Sequence, residues 1–325
     1  MVKAIDLFCG GGGSSWGARN AGVELVGAID AWDVATSTYE DNFPTARGNV
    51  VTARLDDCSG AHLFRNLRSV DMIIASPECT HHSVARGGRP RDEESRRSGW
   101  FVMGFIEEMK PRWVILENVT PMRGWPGFED LIGRLKRLGY KVEIQLLDAS
   151  DFGVPQARRR LFVICDLFRQ PDEIRVGSGR TAAARTILDP KGTWPTSEVY
   201  RPERAAATLE RVENGIRALG RGKDFLIVYY GSDKAGGWQS LDRPLRTLTT
   251  LDRFGLIQWE RGQPIMRMLQ IPEIKRGMGL PDGFRLKHGT RRDKVKILGN
   301  GVCAPVMRRV VSTLLRGEIQ AVAAE

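Results

Sequence analysis

The residue best suited to chemistry is a cysteine in a loop that follows a short apolar run. Cys79 lies in the segment Ser76–Ser83, directly after Val70–Ala75, whose composition is typical of a buried strand. A thiol at the end of such a strand is open to a ligand and close to helix N-termini, which favours the reactive thiolate. Cys79 is therefore a candidate nucleophile, although a cysteine taken alone is more often a small buried hydrophobic residue.

A carboxyl group and two cations follow at the ends of later runs. Glu117 comes directly after the apolar run Arg112–Leu116, and its carboxyl is expected at the same sheet edge as Cys79. Arg158 and Arg160 occupy alternate positions before the next run, so they are expected to share a face. A thiolate, an acid and cations together suit nucleophilic addition to a poorly electrophilic ring such as cytosine, whose ring nitrogen 3 an acid can stabilise.

A glycine-rich turn provides a second candidate site near the N-terminus. The segment Asp6–Ser15 holds four consecutive glycines between a predicted strand and a predicted helix, and Asp30 ends the second strand. Glycines let the backbone approach a ligand closely, a helix N-terminus binds anionic groups, and an acid at this distance can bind ribose hydroxyls. A plain tight turn and a nicotinamide-dinucleotide site remain open alternatives, although no later segment supplies hydride chemistry.

The elements that must position these residues alternate between strands and helices. Strand-like runs are Val2–Phe8, Glu24–Ile29, Val70–Ala75, Arg112–Leu116, Val142–Leu147 and Leu161–Cys165; helical spacing covers Ala31–Asn42, Glu93–Lys110 and Phe128–Leu138. This alternation predicts an α/β fold with a doubly wound, mostly parallel sheet, whose ligands lie at the carboxyl ends of its strands. An amphipathic helix, Val302–Leu315, is expected to pack back on that sheet.

The overall composition limits the class of protein. The 325 residues carry a net charge of +10, which favours polyanionic partners such as nucleic acid. No apolar run is long enough to cross a bilayer, and no signal-peptide pattern is present, so we expect no membrane contact. Five scattered cysteines without a CxxC pair argue against disulfides and structural zinc and favour a reduced, cytoplasmic location. A metal site built from Cys79, His81 and His82 stays an alternative, but no fourth ligand is apparent, and no metal is expected.

Taken in the order in which they occur along the chain, these motifs resemble those of the DNA cytosine-5 methyltransferase family. The family's cofactor loop is matched by Asp6–Gly13, its nucleophile loop by Pro77–Cys79 and its Glu-Asn-Val element by Glu117–Val119. Its Gln-x-Arg-x-Arg element is matched by Gln156–Arg160, the support of its target region by Arg243–Thr250, and its final Gly-Asn-x-Val element by Gly299–Val302. The chain departs from the family pattern at Glu78, which replaces a proline, and at Asp30, which replaces a glutamate. Ala31 follows that acid where an aromatic residue is expected, and Trp32 comes one place later.

This resemblance implies transfer of a methyl group from S-adenosyl-L-methionine to carbon 5 of cytosine in double-stranded DNA, on a flipped base. The implied catalytic residues are Cys79, Glu117, Arg158 and Arg160; the implied cofactor-binding residues are Asp6, Phe8, Gly10, Gly12, Gly13, Asp30, Asn300 and Val302. It also implies a monomer encoded by a bacterium, archaeon or phage. Residues 1–167 plus 297–325 are the expected catalytic domain, and residues 168–296 the smaller target-recognition domain. A tRNA cytosine methyltransferase and a catalytically silent DNA-binding relative stay as alternatives.

Overall fold

The first half of the chain forms a seven-stranded sheet. The computed structural model describes residues 1–77, 97–176, 181–230 and 236–322. The strands are β1 (Lys3–Leu7), β2 (Glu24–Asp30), β3 (Val50–Thr52), β4 (Met72–Ala75), β5 (Trp113–Val119), β6 (Lys141–Asp148) and β7 (Arg159–Asp166). Their spatial order is β3-β2-β1-β4-β5-β7-β6, with β1 and β4 at the centre. The α/β fold predicted from the strand–helix alternation is confirmed.

Both faces of this sheet are buried, as the near-continuous apolar runs predict. In β4, for example, Met72 and Ile74 belong to one apolar core, whereas Ile73 and Ala75 belong to the other. The helices are α1 (Gly13–Arg19), α2 (Asp33–Asn42), α3 (Phe101–Met109) and α4 (Phe128–Arg137). Of the predicted helix Glu93–Lys110, only the last two turns are α-helical; residues 93–96 lie outside the described residues.

One strand runs against the others. β7 pairs antiparallel with both β5 and β6, so the expectation that it simply continues the parallel series is wrong. The reason lies in the connection between β6 and β7, which holds only a short 3₁₀ turn, Ala149–Phe152. A parallel neighbour needs a crossover of a dozen or more residues, whereas an antiparallel one needs only a short link.

A second sheet forms later in the chain. It contains β8 (Ser197–Glu198), β9 (Phe225–Val228), β10 (Trp238–Ser240), β11 (Phe254–Glu260) and β12 (Gln263–Met268), in the order β10-β9-β11-β12-β8. Helix α5 (Ala206–Leu219) packs against β9 and β10. Both faces are apolar, but one of them, with Leu226 and Leu256, joins the same core as the first sheet. The two sheets therefore share a continuous hydrophobic core on one side.

The chain then returns to the first sheet through three helices. They are α6 (Ile271–Gly277), α7 (Arg291–Asn300) and α8 (Ala304–Val322), so the expected domain boundary at residue 296 falls inside α7. Helix α8 packs on α1 at close range: a Cβ added to Gly17 would lie 2.4 Å from the carbonyl oxygen of Ala304. The predicted return of the last helix to the sheet is confirmed. Within the described residues, no helix is both long and apolar enough to cross a membrane.

Candidate functional site

A cavity of about 510 Å³ opens at the carboxyl ends of the central strands. Its walls come from the segments that follow β1, β2, β3 and β4, from the last residues of β5, from the starts of α3 and β7, and from α7 with the turn that follows it. Eight of the predicted site residues line it: Phe8, Gly10, Asp30, Glu117, Arg158, Arg160, Asn300 and Val302. The edge of a doubly wound sheet where the strand order reverses is where this fold binds ligands.

Glu117 and Arg160 form an ion pair inside this cavity. The Nε of Arg160 lies 3.3 Å from Oε1 of Glu117, and the carboxyl residue is only 6% exposed. Arg160 sits opposite Val119 in the β5–β7 ladder, so it is the diagonal cross-strand neighbour of Glu117. Burial raises the pKa of Glu117, and the charges of Arg160 and Arg158 oppose that rise. The carboxyl is thus placed to hold a proton more readily than an exposed glutamate does.

Arg158 lines the same cavity but binds a different set of groups. Its side chain is 2% exposed, and its guanidinium donates to the carbonyl oxygens of Leu248 at 3.1 Å, Gly299 at 2.8 Å and Gly301 at 2.9 Å. Arg158 therefore connects the start of β7 to the segment before β11 and to the turn after α7. The alternate positions do put both arginines at the cavity, but only Arg160 pairs with Glu117.

The loop that carries Cys79 begins at this cavity. Ser76 and Pro77 line it, and the Nδ2 of Asn118 donates to the carbonyl oxygen of Pro77 at 3.1 Å. The Glu-Asn-Val element thus has two functions, since Glu117 faces the cavity while Asn118 fixes the residue two positions before Cys79. Cys79 itself, with Glu78 and the two histidines, lies outside the described residues. Among the residues that are described, no group of three or more potential ligands is placed to bind a metal ion.

Asp30 lies where β2 ends, and backbone groups hold both of its carboxylate oxygens. The amide of Gly10 donates to Oδ2 at 2.8 Å and the amide of Trp32 to Oδ1 at 2.9 Å. Burial raises the pKa of Asp30, while these two amides and the charge of Lys296 oppose the rise. Each oxygen keeps a second lone pair, so the carboxylate can still accept hydrogen bonds from a ligand.

Three of the predicted cofactor residues lie behind the cavity wall. Asp6 is fully buried and accepts hydrogen bonds from the hydroxyls of Ser14 at 2.5 Å and Ser15 at 2.6 Å. Burial raises its pKa to about 7. Gly12 has φ of +91° and a Cβ there would lie 2.4 Å from the ring of Phe43; a Cβ on Gly13 would lie 2.5 Å from the carbonyl oxygen of Val302. These residues shape the loop and do not line the cavity.

The cavity is also lined by residues to which the sequence alone assigned no function. They include Trp32, Ala53, Arg54, Leu55, Ser98, Phe101 and Lys296. Lys296 precedes Asn300 by four residues on α7, and the helical repeat could have linked the two. The stretch from Ala53 to Leu55 follows β3, whose third residue pairs with Asp30. Phe8, at the end of β1, has a positive φ of 57°, a strained backbone for a bulky residue that often marks a binding site.

Comparisons with known proteins point to one family. A sequence model described as C-5 cytosine-specific DNA methylase matches residues 2–316. The Type II methyltransferase M.HindV of Haemophilus influenzae is 30% identical over 327 residues, covering 98% of this chain and 97% of the relative. Among solved structures, the methyltransferase EhMeth of Entamoeba histolytica superimposes with a TM-score of 0.69 at 17% identity, covering 98% of this chain and 99% of that one.

Other relatives match over a shorter stretch. The Type II methyltransferase M.AgeI of Thalassovita gelatinovora is 34% identical over 170 residues, which cover 50% of this chain and 39% of the relative. M.HgiDI of Herpetosiphon aurantiacus is 37% identical over 166 residues, with 50% of this chain and 52% of the relative covered. The chain thus spans about half or less of the length of these relatives.

Proposed function

Because the chain belongs to the C-5 cytosine-specific DNA methylase family, we propose that it transfers a methyl group from S-adenosylmethionine to carbon 5 of cytosine in double-stranded DNA. The observation that carries this proposal is the buried Glu117–Arg160 pair, which shares one cavity with Asp30 and the glycine loop. An acid suited to activating a base and a carboxylate suited to binding a nucleoside cofactor both line this cavity.

The cavity residues fit that cofactor. Gly10 has φ of +51°, and the position of a Cβ there has no atom within 4 Å, so the backbone leaves open space beside a cavity-lining segment. Asp30 would accept hydrogen bonds from the ribose hydroxyls, and the aromatic side chains of Phe8 and Trp32 offer apolar surface for a purine. Asn300 and the backbone up to Val302 would close the opposite wall. When bound, the cofactor supplies an electrophilic methyl group.

The remaining chemistry falls to the protein. The Cys79 thiolate forms a bond to carbon 6 of cytosine, while protonated Glu117 hydrogen-bonds to, or protonates, ring nitrogen 3 and so stabilises the negative charge that develops. Carbon 5 becomes nucleophilic and forms a bond to the methyl group, whose bond to the cofactor sulfur breaks and leaves S-adenosylhomocysteine. Loss of the carbon-5 proton to water as base then lets the bond to sulfur break, which releases the thiolate and restores the aromatic ring. Arg160 orients the Glu117 carboxyl throughout.

The depth of the site bears on how the base reaches it. Glu117 lines the cavity and is only 6% exposed, so a cytosine stacked inside a duplex could not bring its ring edge to the carboxyl. Enzymes with this constraint rotate the target nucleotide out of the stack, at a cost of a few kcal/mol. We therefore propose base flipping, with the duplex backbone held by cationic side chains.

Sequence choice is proposed for residues 168–242, within a target-recognition domain at 168–296. Support comes from the second sheet, whose strands β8–β12 all lie within the proposed domain at 168–296, and from the charge of residues 175–224, which hold ten Lys or Arg against six Asp or Glu. So small a segment has room for few base contacts, and we expect a site of roughly two to five base pairs, with arginine or lysine reading guanine. Replacing this segment with that of another family member should change the methylated motif in bisulfite sequencing.

The substrate is tested by transfer of label from the cofactor to duplex DNA, single-stranded DNA and tRNA under one condition. We expect labelling of duplex DNA, and its loss in Glu117→Gln on the same substrate. Labelling of tRNA alone would show that the substrate is tRNA and not DNA. Binding of the cofactor without labelling of any nucleic acid would assign the chain to a catalytically silent relative. Light scattering of the same preparation tests the expected monomer.

A further inference from the structure

Lys296 is a cation of the cavity that the proposed methyl transfer does not use. Lys296 extends from α7, and its Nζ lies 4.1 Å from the ring centroid of Trp32. Both residues line the cavity, although they are far apart in the chain. We infer that Lys296 is a positioning residue for the nucleoside cofactor, acting through Trp32 and Asp30; this inference rests on the proposed function.

Trp32 and Asp30 form a linked unit on which a single cation can act. The amide of Trp32 donates to Oδ1 of Asp30, and the amide of Gly10 donates to Oδ2 of the same carboxylate. Fixing the indole therefore also fixes the peptide that orients the carboxylate. An ammonium over an indole face is an attractive contact in its own right, and it supplies positive charge close to a partly buried acid.

Helix α7 is built to hold Lys296 at this point. It begins with a capping box, in which the amide of Thr290 donates to Oδ2 of Asp293 at 2.8 Å and the amide of Asp293 donates to the Thr290 hydroxyl at 3.3 Å. The carboxylate of Asp293 therefore caps the N-terminus of α7. One turn later, a Cβ on Gly11 would lie 2.6 Å from Cγ2 of Ile297, so the helix packs directly on the glycine loop.

The position on the helix also separates Lys296 from its neighbours. Lys296 and Asn300 are four residues apart and both line the cavity, whereas Lys294 on the same helix does not. Lys294→Met is therefore a matched control, because it removes the same charge from the same helix without touching the cavity. Lys296→Arg keeps the cation and should retain the contact with Trp32.

The test is calorimetric binding of S-adenosylhomocysteine to the full chain, with steady-state kinetics beside it. Cation–π contacts and partly exposed ion pairs are each modest, so Lys296→Met should weaken binding about three- to tenfold. The KM for S-adenosylmethionine should rise by a similar factor with kcat near that of the parent protein. Lys296→Arg and Lys294→Met should both bind within about twofold of the parent.

Two results overturn the inference. Binding of Lys296→Met that equals the parent's shows that the lysine does not act on the cofactor. A lower melting temperature of unliganded Lys296→Met, with Lys294→Met unchanged, assigns the lysine to stability. If the parent protein itself fails to bind S-adenosylhomocysteine, the proposed function fails as a whole, which is a different outcome from the first two.

Discussion

Arg158 and Arg160 are separated by one residue, but we expect their replacement to affect stability to very different extents. Arg158→Met removes a buried cation that donates to the carbonyl oxygens of Leu248, Gly299 and Gly301. Two segments distant from it in the chain, the one before β11 and the end of α7 with its following turn, lose their common donor. The main expected effect is therefore on folding and on the turn after α7, with loss of activity as a consequence.

The magnitude follows from the contacts. A hydrogen bond from a charged donor contributes about 1.5–3 kcal/mol, so three would give about 4.5–9 kcal/mol if they were additive. Contacts within one network are not additive, and water can reach carbonyls at a cavity wall. We therefore expect Arg158→Met to lower the free energy of unfolding by about 3–5 kcal/mol, similar to breaking a buried ion pair.

Arg160→Met is the matched comparison. Its side chain is 17% exposed and pairs with Glu117, which can respond to loss of the cation by keeping its proton. The expected destabilisation is below about 1.5 kcal/mol, with a large loss of methyl transfer. Urea unfolding followed by tryptophan fluorescence measures both variants. A parental urea midpoint in an inactive Arg158→Met would refute this reasoning and make Arg158 a catalytic residue.

Three further predictions concern the acids of the site. Glu117→Gln should lower the methylation rate 10²–10⁴-fold with S-adenosylhomocysteine affinity unchanged; a loss under about tenfold would make Glu117 structural. Asp6 has a pKa raised from 3.8 to about 7, so the folded state favours its protonated form, and the free energy of unfolding should fall as pH rises from about 4 to about 7 and then level. At about 1.4 kcal/mol per pKa unit, this loss of unfolding free energy is at most about 4 kcal/mol. The loss should be absent in Asp6→Asn, and an equal pH dependence of the unfolding free energy in both proteins would contradict the prediction. Asp30→Ala should weaken calorimetric binding of S-adenosylhomocysteine, while the parent protein shows no signal with NAD; equal binding of NAD would reopen the dehydrogenase interpretation.

The strands and the ends at which chemistry occurs were predictable, because both depend on local sequence. The apolar composition of runs such as Val70–Ala75 indicates that these strands are buried, and neighbouring parallel strands have their carboxyl ends at the same edge of the sheet. The start of α8 was predictable within two residues, and Pro305, the second residue of that helix, marks it better than the apolar periodicity does. The direction of β7 was missed although the absence of a crossover helix before it was visible.

The partners of individual side chains could not be predicted in the same way. Arg158 and Arg160 belong to one alternating pattern at the start of β7, but Arg158 binds carbonyls from α7 and the segment before β11, whereas Arg160 binds Glu117. That division depends on how the end of the chain closes over the first sheet. The contact between Lys296 and Trp32 arises from the same closure. Distant segments meet there, and no local spacing encodes their contact.

The proposed mechanism depends on a covalent step through Cys79, and trapping of that adduct tests it most directly. Duplex DNA with 5-fluorocytosine at the target position blocks release, because fluorine cannot leave carbon 5 as a proton does. With S-adenosylmethionine present, the parent protein should form a complex that survives denaturing electrophoresis, and peptide mapping should place the modified base on Cys79. Cys79→Ala should form none and transfer no methyl group. Methyl transfer that persists in Cys79→Ala, or an adduct mapped to another residue, would contradict the account.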